Sequence, residues 1–65
     1  MNFNHNLLDE KAVAAHLGVT IACLRRWRRV GEGPVYAKLG RLVRYRQQDI
    51  DEFVRSNTQG RQEVA

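Results

Sequence analysis

At 65 residues and a formal charge of +4, the chain has room for one small domain, and a fold of that size buries only about 60% of its unfolded surface, which leaves little for a deep catalytic cleft and counts against an enzyme. Hydrophobic residues at 43% and charged ones at 28% argue against a disordered chain, and apolar runs of a few residues fall far short of the roughly 18 to 20 that cross a bilayer. A single cysteine, Cys23, allows no internal disulfide and suits a reducing cytoplasm, and MNFNHNLLDE lacks the basic and apolar regions of a secretory signal.

Taken in order, residues 1–6 read as a polar lead-in, 7–55 as the folded domain and 56–65 (SNTQGRQEVA) as a flexible tail. Asp9 is the predicted N-cap of a first helix, about Glu10 to Leu17, with Leu8 and Val13 at the positions of a hydrophobic staple. Gly18 supplies the left-handed residue that closes it. Thr20 repeats the start signal, and a second helix runs to about Val30, stapled by Val19 and Leu24. Ala14, four residues before Gly18, is small enough to let the two helices approach.

Gly31, Gly33 and Pro34 end the second helix. The period then changes to that of strands. Tyr36 to Leu39 and Leu42 to Tyr45, joined by Gly40-Arg41, predict a basic hairpin whose alternation turns Ala37, Leu39, Val43 and Tyr45 toward one face and leaves Lys38 and Arg44 on the outer face. A last helix from about Gln48 to Ser56 puts Ile50, Phe53 and Val54 on one stripe, with Asp49, Asp51 and Glu52 at its electropositive start and a weak N-cap at Arg46 or Gln47. The order is that of a winged helix-turn-helix: mainly α, three helices plus a two-stranded wing.

Charge is unevenly placed along this frame. Arg25 to Arg46 holds eight basic residues against one acid, whereas the remainder holds three against six. Such a basic face on an acidic body seeks an anion, and nucleic acid is the commonest partner. A solvated arginine-rich surface is the plain alternative, and phase distinguishes them. With Leu24 toward the core at 100° per residue, Ile21 and Trp27 fall on the buried side and Ala22, Arg25, Arg26 and Arg29 opposite. Arg28 falls near the core, so its stem is expected to pack and its head to reach an acid. Trp27, Tyr36 and Phe53 are expected in the core and Cys23 as a small packing residue; Arg46, Arg55 and Arg61 are expected to be solvated. His5, His16 and Cys23 have no metal-ligand spacing, and no cofactor, metal or small-molecule substrate is expected.

The stretch LLDEKAVAAHLGVTIACLRRWRR, followed by GPVYAKLGRLVRYRQQDIDEFV, resembles the small MerR-related winged helix-turn-helix family of AlpA-type phage regulators and excisionases. The resemblance is carried by Leu24-x-x-Trp27, by Lys38-Leu39-Gly40-Arg41 with Val43-Arg44-Tyr45 behind it, and by Asp49-Ile50-x-x-Phe53. Asp9 stands where Ser or Thr is commoner, Cys23 is unusual in a recognition helix, and Leu42 is apolar where the wing is more often polar or basic. The resemblance implies double-stranded DNA as partner. The second helix would enter the major groove, with Arg25, Arg26 and Arg29 on guanine edges or phosphates, Ala22 on a thymine methyl and Thr20 anchoring a phosphate. Gly40 and Arg41 would enter the minor groove, flanked by Lys38 and Arg44.

Two roles follow from the family. An excisionase, or recombination directionality factor, binds repeats beside an attachment site, associates head to tail and bends DNA for an integrase. An AlpA-like protein regulates a promoter of a prophage or mobile element. A chain that is little more than a DNA reader favours the first, acting in the bacterial cytoplasm on the nucleoid, with the tail and Leu42 as candidate protomer or integrase contacts. A protein-binding adaptor, its arginines meeting an acidic partner, fits the grouping of Arg25, Arg26 and Arg29 with Arg41 less well.

Overall fold

A computed structural model describes residues 7–59 of the chain; the expectations for the lead-in 1–6, with His5, and for the tail beyond 59, with Arg61, lie outside them. The order is β1 (Leu7–Leu8), α1 (Glu10–Leu17), α2 (Ile21–Val30), β2 (Ala37–Leu39), β3 (Leu42–Arg46) and α3 (Gln47–Ser56). Three helices and a basic hairpin are therefore present as expected. The hairpin is not alone, however: β1 pairs antiparallel with β3, giving a three-stranded sheet in the order β1-β3-β2. Leu8 lies opposite Tyr45, so this residue serves the sheet as well as the helix start.

Local chemistry sets the helix-turn-helix. The Asp9 carboxylate accepts from the Ala12 amide at 2.9 Å, and the Thr20 hydroxyl accepts from the Cys23 amide at 3.0 Å, each satisfying a first-turn N–H that has no helical partner. Asp9 thus caps α1 as Ser or Thr would. Both helices end on a left-handed glycine, Gly18 at φ 72° and Gly31 at φ 78°. The next residue in each case reaches back five positions, Val19 N–H to Ala14 O at 2.9 Å and Glu32 N–H to Trp27 O at 2.7 Å, which is the Schellman closure. It fixes the turn between α1 and α2 at three residues.

The core is a small apolar knot of Val13 and Ala14 from α1, Leu24 from α2, Tyr45 from β3 and Ile50 from α3, all buried. Leu8, Leu17, Val19, Ile21, Trp27 and Val43 pack around it. Trp27 meets Phe53 with ring centroids 5.5 Å apart and tilted, and Tyr36 meets Tyr45 at 6.2 Å. Tyr36, expected in the core, is 40% exposed, because it precedes β2 and leans on the core's rim.

The wing's faces differ from the alternation read along the chain. Ala37 lies opposite Arg44, Lys38 opposite Val43 and Leu39 opposite Leu42, and cross-strand partners share a face. Lys38 therefore shares the face of Val43 and Tyr45, while Ala37 and Leu39 share that of Leu42 and Arg44. The reason lies in the two-residue turn, which makes odd positions of β2 partner even positions of β3. A positive φ of 66° at Gly40, with none at Arg41, is the pattern of a type II′ hairpin turn. Leu39 and Leu42, both about half exposed, form an apolar pair beside it.

α3 begins without a side-chain cap. Arg46 and Arg55 are exposed, as expected; Arg46 donates from Nε and Nη2 to Asp49 at 2.7 and 3.1 Å, and Arg55 pairs with Glu52. Both pairs are solvent-exposed, the class that adds little stability. At the other end, Ser56, Asn57 and Thr58 hydrogen-bond to carbonyls of the last turn. They finish the helix rather than begin the tail.

Candidate nucleic-acid interface

α2 is strongly two-sided. Leu24 is buried, Ile21, Trp27 and Arg28 are half-buried, and Ala22, Arg25, Arg26 and Arg29 are exposed. Arg26 points directly away from Leu24 at 200° of helical phase. Among the described residues neither Arg26 nor Arg29 has an acidic partner. Thr20 stands at the same end as Ala22. Its oxygen accepts the Cys23 amide, and its hydroxyl proton remains to donate beside the free amides that begin the helix.

Arg25 and Arg28 behave differently, because both reach one acid on α1. Glu10, in the first turn of α1, accepts from Arg25 Nε at 3.3 Å and Nη2 at 2.6 Å, and from Arg28 Nη2 at 3.2 Å. Arg28 Nη1 donates to the Tyr45 hydroxyl at 2.8 Å, and its guanidinium lies 5.7 Å from the centroid of the Tyr36 ring, within cation–π range. Arg28 thus packs its stem and reaches an acid, as its phase implied. A continuous chain of contacts runs from buried Tyr45 through Arg28 and Glu10 to Arg25 at the surface. Glu10 was missed as a site residue because its partners lie 15 and 18 positions away.

The hydrogen bond from Arg25 holds the Glu10 carboxyl below its ordinary range; desolvation opposes this and Arg28 reinforces it. A carboxyl lowered in the folded state contributes stability that is complete above its unfolded value, roughly 4.3, and is lost as pH falls through the folded value. Thermal unfolding followed from about pH 6 to pH 3 is expected to show a steeper loss for wild type than for Glu10→Gln, which starts less stable at neutral pH and titrates less. Parallel curves would remove Glu10 from the acid transition.

On the wing, Arg41 is exposed at the turn, and a Cβ built at Gly40 meets nothing within 4 Å, so the tip is open to a close partner. Arg44 is half-buried and donates from Nη1 to the Val43 carbonyl at 2.8 Å. One open cleft between α1, α2 and the wing is lined by Lys11, Arg25, Arg28, Arg41 and Arg44, together with the acids Asp9 and Glu10. The structure therefore brings Arg25, Arg41 and Arg44 together. Ala22, Arg26 and Arg29 form a neighbouring face, and Lys38 stands across the wing from Arg44. Lys11 joins the cleft without having been singled out; its place in the first turn of α1 gave no sign of the wing's approach.

Cys23 is a half-buried free thiol and His16 is exposed. No helix among the described residues is long and apolar enough to cross a membrane. A family model described as a helix-turn-helix domain matches residues 7–58, which takes in both capped helices, the wing and α3. No curated protein matches the chain significantly.

Proposed function

Because the chain belongs to the helix-turn-helix domain family of small AlpA/excisionase-type DNA-binding proteins, we propose that it is an excisionase of a phage or integrative element, a DNA-bending factor that directs an integrase toward excision. The observation that carries this reading is the exposed face of Arg25, Arg26 and Arg29 on α2 beside Arg41 at an open wing tip. A ten-residue helix is about 15 Å long and enters a major groove roughly 12 Å wide. There the arginines meet guanine edges and phosphates, Ala22 meets a thymine methyl, and Thr20 with the α2 amides holds a phosphate. Arg41 enters the adjacent minor groove, where a narrow A·T tract concentrates negative potential. Lys38 and Arg44 project from opposite faces of the wing, one toward each phosphate wall.

One such reader makes about six phosphate contacts, so its affinity should fall with salt at a log–log slope of about −5. Useful specificity then needs several copies side by side on direct repeats, associating head to tail, which is how this reading connects a small reader to DNA bending. The half-exposed Leu42 and the chain beyond α3 are the surfaces through which copies or the integrase would meet. The site of action is the bacterial cytoplasm, and the reading requires no enzymatic activity from the chain itself.

An excision assay with the integrase of the same element tests the role. Recombination is expected to depend on added protein, and the salt slope of duplex binding to lie near −5. Recombination that proceeds equally without the protein, while a neighbouring promoter falls silent on its deletion, would replace the excisionase with a transcription regulator. Absence of duplex binding together with capture by an acidic protein would instead make it an adaptor.

A further inference from the structure

We infer that Glu10, on the helix that does not enter the groove, sets base specificity by holding Arg25 in the orientation that reads a guanine; this rests on the DNA-binding reading above. The geometry of the pair carries it. A guanidinium has five N–H donors in a planar fork, and Glu10 takes the side formed by Nε and Nη2, at 3.3 and 2.6 Å. The outer end, Nη1 with the second hydrogen of Nη2, is left without a partner among the described residues, on a side chain 61% exposed. That end presents two parallel N–H donors, a bidentate set that O6 and N7 of guanine accept.

Two further features support a reading group over a phosphate clamp. Glu10 is itself fixed, because Arg28 donates at 3.2 Å to Oε1, the oxygen that also accepts from Arg25 Nε, and is anchored in turn to the Tyr45 hydroxyl at 2.8 Å. Arg25 is therefore ordered before it meets DNA, which removes an ordering cost that a free arginine bears on binding. The Glu10 carboxylate, shared with Arg28, also offsets part of the charge of Arg25. Arg25 therefore gains less from the phosphate field than Arg26 and Arg29, which have no acidic partner among the described residues, and keeps its directional hydrogen bonds for a neutral base edge.

The test uses the full chain and a duplex that wild type retains from an oligonucleotide pool with a randomised centre, together with variants of that duplex changed at one base pair each. Arg25→Ala is expected to lose about tenfold or more of the discrimination at one G·C pair while leaving the salt slope nearly unchanged. Glu10→Ala is expected to lose discrimination at that same pair, to bind mismatched duplexes more tightly and to steepen the slope by about 1, because it frees a cation. The double variant should discriminate no worse than Arg25→Ala alone. Glu10→Gln, which keeps the size and an acceptor, should fall between, and thermal melts confirm which variants are folded. A folded Glu10→Gln that keeps full discrimination, or an affinity loss uniform across all duplexes, overturns the inference. A wild type that retains no duplex overturns the DNA-binding reading, and this one with it.

Discussion

Replacing Arg26 and Arg41 together with alanine is expected to weaken binding to the cognate duplex by roughly 10² to 10⁴-fold. The two side chains serve different grooves in the proposed docking, one on the exposed face of α2 and one at the wing tip, and neither has an acidic partner among the described residues. Losing a well-placed arginine contact costs about 1 to 3 kcal/mol, and well-separated positions add. Both are exposed, so folding stability should move by no more than about 0.5 kcal/mol. The single variants separate the roles. Arg26→Ala should relax preference at a base pair or flatten the salt slope by about 1, according to whether it meets a base or a phosphate. Arg41→Ala should lose most on duplexes with a narrow A·T minor groove. Fluorescence anisotropy across about 50 to 200 mM salt measures all of this. Arg55→Ala, on α3 and paired with Glu52, is the control and should change affinity less than about twofold. Wild-type affinity in both single variants would mean that this face does not bind DNA.

Gly33→Ala should have the largest effect on stability, about 2 to 5 kcal/mol, because two independent costs coincide. The backbone there has φ 85°, and a Cβ would come within 2.9 Å of both Cβ and Cε3 of Trp27. Left-handed backbone costs a non-glycine residue about 1 to 2 kcal/mol, and forcing a packed side chain aside costs about 1 to 3 more. Trp27 cannot yield freely, since Phe53 lies against it. Gly31 provides an internal comparison. Its φ is 78°, yet a Cβ there meets nothing within 4 Å, so Gly31→Ala should show the backbone cost alone, about 1 to 2 kcal/mol. In a domain this small each kcal/mol moves the melting temperature by about 4 to 8 °C. The difference between the two melts therefore isolates the contact with Trp27. Equal melts would remove that contact as the reason for glycine at 33.

What the sequence made legible was local. Asp9 and Thr20 as caps, Gly18 and Gly31 as closures, and Leu24 against Arg26 on opposite sides of α2 each follow from rules that act within one or two helical turns. Even Arg28 was placed by phase alone. The misreadings came where a partner lies far along the chain. Leu8 reads only as a staple for α1 because nothing nearby announces β3, and Glu10 only as the first residue of that helix. The faces of the wing were exchanged for a different reason. Alternation is reliable within one strand, but it says nothing of which residue stands opposite, and a two-residue turn swaps the parity. The exchange reassigns Lys38, which shares a face with Val43 rather than with Arg44.

The short first strand has a consequence for how the molecule comes and goes as a reader. Leu7 meets Arg46 across thirty-nine positions, and between them lie both helices of the helix-turn-helix and the whole hairpin. Closing so long a loop for two residues of pairing is unfavourable by itself, so the strand forms only when the intervening elements have already assembled. Once formed, it ties the base of the wing to the start of α1. Helix and wing then form and melt as one cooperative unit, so α2 is not presented without its wing.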